Sequence, residues 1–273
     1  MPTIRQAIRE AAAALAASSE TPRLDAELLM AEALGCDREA LLLGRLEEAA
    51  PEAFAALLAR RAAGEPIAYI TGRRDFWTIT LEVGPGVLIP RPDSETLIEA
   101  AVAHFGDRGP RRVLDLGTGP GTLLLAALTQ WPEARGLGVD ASDVAVDRAR
   151  VNAGRLGLET RACFRRGDWA AGVEGPFDLI LCNPPYIEHG AILPRDVADH
   201  EPEAALRAGD DGLDAYRRIV PQIGPLLGAG GLAALEIGAG QAGAVTALLA
   251  EQGLAATVRH DLAGHARCLV IMG

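Results

Sequence analysis

The sequence has no lysine, few cysteines and no long apolar run, and each scarcity narrows the classes of protein that it can encode. All 26 basic residues are arginines, against 37 acidic residues, and the formal net charge is −11. This net negative charge argues against nonspecific binding of nucleic acid, which requires a basic surface. No direct nucleic-acid partner is therefore expected. Without a membrane-spanning run or a cationic-then-apolar signal region, we expect a cytoplasmic protein with no membrane partner.

The cysteines show neither a Cys-x-x-Cys pair nor a cluster with histidine at metal-ligand spacing. They stand apart at Cys36, Cys163, Cys182 and Cys268. Reduced thiols are therefore predicted, and no metal site. The length of 273 residues suits one large domain or two of unequal size.

The N-terminal part, residues 1–72, carries helical patterns and is predicted to form a helical substrate-recognition domain. Apolar residues recur on one face of a first helix, at Ile4, Ile8, Ala11 and Leu15. A second helix is predicted to begin at Pro22 and end at Gly35, and a third to run from about Pro51 to Gly64. From the pattern alone, such a bundle suits either partner recognition or a structural cap.

Residues 73–92 change character and predict a linking β-hairpin. The strand-like run from Phe76 to Val83 is followed by a turn at Gly84-Pro85-Gly86 and a second strand-like run, Val87 to Ile89. We therefore expect the third part to begin at residue 93 and extend to residue 273.

In residues 93–273, helical and strand-like patterns alternate. Strands are predicted at 112–116, 136–140, 161–166, 177–182 and 231–237. Such alternation is typical of an α/β, Rossmann-like fold with a parallel sheet. The last two strand-like runs, 255–260 and 266–271, are joined by too few residues for a crossover helix, which predicts a C-terminal antiparallel hairpin.

A glycine-rich turn follows the strand at 112–116 and precedes a helix. Its residues are Gly117, Thr118, Gly119, Pro120 and Gly121. Alone, this turn is compatible with a nicotinamide dinucleotide, a flavin, S-adenosyl-L-methionine or a purely structural role. Its spacing is one residue shorter than the dinucleotide fingerprint, and Asp115 lies just before it. A carboxylate is unfavourable beside a pyrophosphate and favourable beside a sulfonium and an ammonium, so S-adenosyl-L-methionine is the preferred cofactor.

Acidic residues end the next two strands and are further candidates for cofactor binding. Asp140 can accept two hydrogen bonds from a ribose diol, the alternative being a helix N-cap shared with Ser142. Asp168 can accept from an adenine amino group and Trp169 can stack on the ring, the alternative for Trp169 being a core position. Together with Asp115, the residues Asp140 and Asp168 make three acidic strand ends beside one glycine turn. This arrangement favours S-adenosyl-L-methionine over a dinucleotide.

The tetrapeptide Asn183-Pro184-Pro185-Tyr186 directly follows the strand at 177–182. The Asn183 side chain and the Pro184 backbone each offer a carbonyl acceptor, and the two prolines supply no competing N–H. Two acceptors select an NH2 group, and Tyr186 can stack on a planar group. Because amide resonance makes that nitrogen a poor nucleophile, catalysis would consist mainly of positioning it. These four residues are the predicted catalytic and substrate-binding site, the alternative being a turn that ends the strand.

These motifs together resemble the class I S-adenosylmethionine-dependent N-methyltransferases. The glycine turn and the tetrapeptide alone leave DNA adenine, RNA guanine and protein glutamine methyltransferases open. Further segments resemble the peptide chain release factor glutamine methyltransferases, namely Arg23–Leu29, Pro66–Gly72, Val87–Pro92 and residues 200–213. The likeness runs from about Leu24 to the C-terminus.

The resemblance implies a substrate and assigns roles to the matched positions. Gly117 to Gly121, Asp140, Trp169 and Asn183 would contact the cofactor, and Asn183 to Tyr186 would hold the glutamine of the Gly-Gly-Gln loop in class I release factors. The helical domain would help to grip the release factor. Two positions depart from the pattern: Pro120 stands where Ser is common, and Asp93-Ser94-Glu95 where Glu-Thr-Glu is expected. Arg91 is open between an ion pair and a substrate contact.

Three other functions compete with this one. A ribosomal-protein glutamine methyltransferase would share most of the motifs. An adenine N6 nucleic-acid methyltransferase is disfavoured by the acidic charge. A catalytically silent S-adenosylmethionine-binding module is disfavoured by the intact tetrapeptide.

Overall fold

The computed structural model describes residues 2–273, which separate into two compact units. One unit comprises the chain up to Arg73 together with the segment Leu193–His200, and the other comprises Arg74–Ile192 and Glu201–Gly273. Each unit has its own buried apolar cluster. Within residues 2–273, no helix combines the length and the apolarity needed to cross a bilayer.

The first unit is built from helices. They are α1 (Ile4–Leu15), α2 (Pro22–Leu34), α3 (Arg38–Ala40), a π-helical turn (Leu41–Arg45), α4 (Ala53–Ala62), α5 (Ile67–Thr71) and a short helix at Arg195–Ala198. A capping box of Thr3 and Gln6 begins α1, and Gly35 ends α2 in the left-handed conformation at φ 62°. The predicted apolar face of α1 is buried, which confirms the helical period in the sequence.

The second unit contains a two-stranded sheet and a seven-stranded sheet covered by helices. Its strands are β1 (Arg73–Phe76), β2 (Ile79–Glu82), β3 (Arg112–Leu116), β4 (Arg135–Asp140), β5 (Ala162–Arg166), β6 (Phe177–Cys182), β7 (Leu227–Glu236), β8 (Ala256–His260) and β9 (Ala266–Met272). Its longer helices are α6 (Glu95–Phe105), α7 (Thr122–Gln130), α8 (Asp143–Arg155), α9 (Asp214–Leu226) and α10 (Ala242–Glu251). The large sheet has the strand order β5-β4-β3-β6-β7-β9-β8.

The predicted α/β sheet is confirmed strand by strand. Strands β5, β4, β3, β6 and β7 pair in parallel, and β9 pairs antiparallel with both β7 and β8. Leu116 is in register with Cys182 of β6 and with Val139 of β4. The glycine turn after β3, the tetrapeptide after β6 and Asp140 at the end of β4 therefore meet at one edge of the sheet, where ligands bind in open α/β folds.

Residues 73–92 contain a pair of strands, but the predicted position of the turn between them was wrong. The turn lies at Trp77 and Thr78, between β1 and β2, and the run 87–89 forms no strand. Trp77 adopts a φ of 53°, and its backbone N–H donates to Glu95 Oε1 at 2.8 Å. A bulky residue with positive φ is uncommon, so the sequence carries no signal for a turn there. The Ile89 N–H donates to the Glu201 carboxylate instead of a neighbouring strand.

Candidate functional site

A cavity of about 620 Å³ opens in the second unit, where the carboxyl ends of β3, β4 and β6 meet. Nine of the twelve residues predicted to bind cofactor or substrate line it, namely Gly117, Thr118, Gly119, Pro120, Asp140, Asp168, Trp169, Asn183 and Pro185. The remaining three, Gly121, Pro184 and Tyr186, do not line it. The cavity thus joins the glycine turn to the first part of the tetrapeptide.

The glycine turn needs glycine for two different reasons. Gly117 has a φ of 72°, and a Cβ there would lie 3.3 Å from Cζ3 of Trp169, so the indole packs closely against this part of the turn. Gly121 has a φ of 89°, and a Cβ there would lie 2.7 Å from Cδ1 of Leu125 in α7. Gly121 therefore allows close packing of the helix, while Gly117 lies at the cavity.

Asp140 accepts hydrogen bonds with both carboxylate oxygens, and one of these bonds comes from the glycine turn. Its Oδ2 accepts from the Gly119 N–H and its Oδ1 from the Ser142 N–H, each at 2.9 Å. The N-cap of α8 is Ser142, whose hydroxyl accepts from the Ala145 N–H. Asp140 itself faces the cavity, and each oxygen has capacity for a further hydrogen bond from a ligand.

Asp115 is a buried acid in the wall of the cavity. Its Oδ2 accepts from the Thr118 hydroxyl at 2.6 Å and from the Leu124 N–H in the first turn of α7 at 3.2 Å. Its Oδ1 is buried and accepts no hydrogen bond from residues 2–273. Burial raises the pKa of this carboxyl to about 7, and the negative charge of Asp140 acts in the same direction. A cationic ligand would stabilise the ionised form, so the site fits a sulfonium and ammonium cofactor.

Asp168 and Trp169 form the wall beyond β5. The Asp168 carboxylate is exposed and pairs with Arg218 of α9, which also lines the cavity. Trp169 has a φ of 49°, and its indole lies beside Gly117. The next residue, Ala170, is also held by a hydrogen bond, since its N–H donates to Gln222 Oε1 at 3.0 Å. The indole is thus held at the cavity and is only half-buried.

Asn183 is the residue of the tetrapeptide that presents a side-chain amide at the cavity. Its Nδ2 donates to the Ser94 hydroxyl oxygen at 2.9 Å, and its Oδ1 accepts no side-chain hydrogen bond within residues 2–273. Pro185 lines the cavity next to it, while Pro184 is buried and does not.

Tyr186 is held by two hydrogen bonds and does not line the cavity. Its hydroxyl donates to Glu236 Oε1 at 3.2 Å, and its backbone carbonyl accepts from Gln241 Nε2 at 3.0 Å. The aromatic ring is partly buried against the core of the second unit. The stacking role of Tyr186 stays a prediction.

Three residues that form hydrogen bonds with the tetrapeptide were not predicted from the sequence, namely Ser94, Glu236 and Gln241. Glu236 is an acidic residue inside an apolar strand pattern, which is a signal that the sequence offered. Ser94 stood in a segment noted only as a departure from a pattern. Gln241 had no distinguishing signal.

Of the two roles left open for Arg91, the ion pair is observed, and the substrate contact stays a prediction. Arg91 forms an ion pair with Glu201 at 2.5 Å, and the same carboxylate accepts from the Ile89 N–H at 3.0 Å. The Glu201 side chain is 1% exposed, so this pair fixes the segment 89–91. Arg91 also lines the cavity, so the pair holds its guanidinium at the site.

Comparison with known proteins covers both units. Residues 6–72 match the family described as PrmC N-terminal domain, and residues 93–200 match the methyltransferase small domain. A release factor glutamine methyltransferase from Rhodospirillum rubrum is 47% identical over 93% of this chain and 80% of that protein. Another from Caulobacter vibrioides is 43% identical over 94% and 91%.

A solved structure shares the fold at lower sequence identity. The Thermus thermophilus 16S rRNA N2 G1207 methyltransferase, in complex with AdoMet and guanosine, superposes with a TM-score of 0.55 at 23% identity. The match covers 73% of this chain and 49% of that one.

Proposed function

Because the chain belongs to the release factor glutamine methyltransferase family, we propose that it methylates the side-chain amide nitrogen of a glutamine in peptide chain release factors. The methyl donor is S-adenosyl-L-methionine, which supplies an electrophilic methyl group on a cationic sulfur. The substrate residue in this proposal is the glutamine of the Gly-Gly-Gln motif of class I release factors.

The groups that line the cavity suit this cofactor. The glycine turn from Gly117 to Gly121 brings backbone close to the ligand, and Asp140 offers carboxylate acceptors beside it. The Oδ1 of Asp115, which accepts no hydrogen bond from residues 2–273, would gain a cationic neighbour. Asp168 and Trp169 would border the flat part of the ligand.

The observation that carries the proposal is the orientation of Asn183. Its Nδ2 is occupied by Ser94, so Oδ1 is the end available to accept a hydrogen bond from a substrate NH2 group. An NH2 group held by such an acceptor is positioned for attack, whereas a substrate carboxylate would leave the acceptor unpaired. The backbone carbonyl of Pro184 is proposed as the second acceptor, and the ring of Tyr186 as a packing surface.

The helical unit is proposed to contact the release factor. The acidic balance of the chain gives no footprint for nucleic acid, so we propose recognition through the protein substrate alone. A cytoplasmic location is part of this proposal.

The function is tested by parallel incubation with labelled S-adenosyl-L-methionine and one of three substrates: a class I release factor, ribosomal proteins or adenine-containing DNA. We expect label on the release factor, at the glutamine of Gly-Gly-Gln by peptide mass mapping. Label on ribosomal protein or DNA with an unlabelled release factor would overturn the proposal in favour of the corresponding alternative.

The role of Asn183 is tested by Asn183→Ala. We expect label transfer to fall by about a hundredfold or more, because the acceptor that positions the nucleophile is lost, while cofactor affinity changes by no more than about threefold. Gln252→Ala, which removes an exposed amide at the end of α10, is the control and should transfer at the parental rate. Full activity of Asn183→Ala would contradict the assigned role.

A further inference from the structure

Asn152 of α8 does not line the cavity, but its side chain forms three hydrogen bonds with backbone atoms, one of them in the glycine turn. Its Nδ2 donates to the carbonyl oxygen of Pro120 at 2.9 Å and to that of Glu82 at 3.0 Å. Its Oδ1 accepts from the Glu82 N–H at 2.7 Å. The residue is 1% exposed, so this buried amide joins the glycine turn to the end of β2.

The three partners determine which end of the Asn152 amide faces the turn. A backbone N–H can only donate, so the side-chain oxygen must face the Glu82 N–H. Backbone carbonyls can only accept, so the NH2 group must face Pro120 O and Glu82 O. The reverse orientation would oppose donor to donor and acceptor to acceptor. Asn152 therefore has one satisfied orientation, set by backbone groups that do not titrate.

The peptide between Pro120 and Gly121 needs a partner of this kind. Pro120 lines the cavity and has no N–H, so its carbonyl is its one backbone group that forms hydrogen bonds. Gly121 has a φ of 89°, and glycine adopts positive and negative φ about equally, so residue 121 does not itself oppose rotation of this peptide. The Gly121 N–H donates to Thr118 O at 2.9 Å, and Asn152 holds the carbonyl at the other end.

Asn152 donates from a position that α8 supports independently of the turn. Arg148 and Arg155 lie four residues before and three residues after it, on the same face of the helix, and both pair with the Glu82 carboxylate. The helix is thus attached to residue 82 by contacts that do not include the glycine turn. Among these neighbours on α8, Asn152 is the residue that bonds to the turn.

We propose that Asn152 is a positioning residue that holds the Pro120–Gly121 peptide, and with it the glycine turn, in the conformation that binds S-adenosyl-L-methionine. The inference rests on the proposed function for the place of the cofactor against this turn. A turn that is in the binding conformation for only a fraction of the time has an affinity reduced by that fraction. Once the cofactor is bound, the turn is in that conformation, so the rate of methyl transfer is retained.

The first test is Asn152→Asp, which keeps the size of the side chain and the Oδ1 acceptor but removes the NH2 donor. We expect the dissociation constant for S-adenosyl-L-methionine, measured by calorimetry, to rise by about tenfold or more. The KM for the cofactor should rise by the same factor, with kcat at saturating cofactor within about twofold. Arg155→Gln is the matched control, because it removes an ion pair between α8 and Glu82 away from the turn, and it should bind with the parental affinity.

The second test needs no variant at this position. The sequence contains only two asparagines, Asn152 and Asn183, so protein labelled with 15N-asparagine gives two side-chain NH2 pairs, which Asn183→Ala assigns. Saturating cofactor should hold the turn closed on Asn152 and slow the hydrogen exchange of its NH2 pair by about fivefold or more. An Asn152 pair with unchanged exchange would overturn the positioning role, including where Asn152→Asp does not fold.

The outcomes also separate this inference from the proposed function. A structural asparagine would lower the urea midpoint and leave the affinity of the folded protein unchanged, so parental affinity in folded Asn152→Asp would overturn the positioning role. Asp140→Ala removes the acceptor of the Gly119 N–H in the same turn. Parental affinity in both variants would show that the cofactor does not bind against this turn, and would overturn the proposed site as well. Calorimetry and hydrogen exchange need no methyl acceptor, so weakened binding in Asn152→Asp with an unlabelled release factor would support this inference and overturn the proposed substrate.

Discussion

The Tyr186 hydroxyl donates a hydrogen bond of 3.2 Å to Glu236 Oε1, so the phenol end of this tyrosine lies in the interior of the second unit. The backbone carbonyl of the same residue accepts from Gln241 Nε2. Burial and the nearby charge of Glu236 raise the pKa of the Tyr186 hydroxyl well above its usual range, so the phenol stays protonated and keeps donating. The ring of Tyr186 is therefore held in place by its polar end.

Tyr186→Phe removes that donor and leaves a buried carboxylate oxygen unpaired. Burial raises the pKa of Glu236 to about 7, so this carboxyl is largely ionised at pH 8. We expect the free energy of unfolding to fall by about 1–3 kcal/mol at that pH. At pH 5.5, where Glu236 is largely protonated, the loss should be smaller. Urea denaturation at the two pH values measures both, and an equal loss at pH 5.5 and pH 8 would contradict the bond to the ionised carboxylate.

The sheet and the ends of its strands were predictable because their signals are local. The runs 112–116 and 177–182 are mostly apolar; Gly117 directly follows the first, and Asn183 with two prolines follows the second, which indicates both the strand and the place where it stops. Parallel strands bring their carboxyl ends to one edge, so the approach of Gly117 to Asn183 followed from the fold class.

Partners distant in sequence were not predictable in the same way. Ser94 and Asn183 are 89 residues apart, and neither position carries a pattern that indicates the other. The turn at Trp77 was missed because its positive φ is stabilised by Glu95, a contact with a helix that begins 18 residues later. Such contacts depend on how elements pack, which composition and periodicity do not encode.

Some segments that carried the family resemblance have structural roles. In Arg23–Leu29, Asp25 and Glu27 are buried, and Glu27 accepts from both Arg23 and Arg38 at 2.8 Å. Resemblance alone could not separate such residues from those at the cavity, since both kinds belong to the same motifs.

Asp140→Asn tests whether this carboxylate organises the cofactor site. An asparagine must place its NH2 group against either the Gly119 N–H or the Ser142 N–H, so one of two hydrogen bonds is lost. We expect the affinity for S-adenosyl-L-methionine, measured by calorimetry, to fall by about tenfold or more. Asp143→Asn makes the same change at an exposed residue that does not line the cavity and should leave affinity unaltered. Equal affinities for the two variants would remove Asp140 from the site.

The raised pKa of Asp115 predicts that the stability of the cofactor-free protein depends on pH. Folding raises its pKa from 3.8 to about 7, so the folded state binds this proton more tightly than the unfolded state. Its contribution to stability is therefore fully present below pH 3.8 and is lost as the pH rises through about 7. The shift corresponds to at most about 4 kcal/mol.

Asp115→Asn should abolish this loss, because an amide does not ionise in this pH range, and its oxygen can still accept from Thr118 and Leu124. We expect the variant to become more stable than the parent protein as the pH rises from 5 to 8. Glu236 contributes a dependence of the same sign in both proteins, so the difference between them isolates Asp115. Parallel stability curves over this range, measured by urea denaturation, would show that Asp115 does not carry the shift.

Arg61 and Asp25 form a buried ion pair that stabilises the helical unit. Arg61 Nε donates to Asp25 Oδ2 at 2.7 Å, and the two side chains are 8% and 7% exposed. Hydroxyls of Ser19 and Thr21 donate to the same carboxylate. Arg61→Ala leaves that charge buried with only neutral partners, and we expect the unit to lose about 3–5 kcal/mol of stability.

The adjacent residue offers a matched control. Arg60 pairs with Glu65 at the surface, where side-chain exposure is 44% and 23%, so Arg60→Ala should cost less than about 1 kcal/mol. Limited proteolysis should therefore cleave the helical unit earlier in Arg61→Ala than in Arg60→Ala. If the helical unit grips the release factor as proposed, Arg61→Ala should also raise the KM for that substrate while cofactor affinity in the second unit is retained. A raised KM in Arg60→Ala without early cleavage would instead indicate that the exposed arginine contacts the substrate directly.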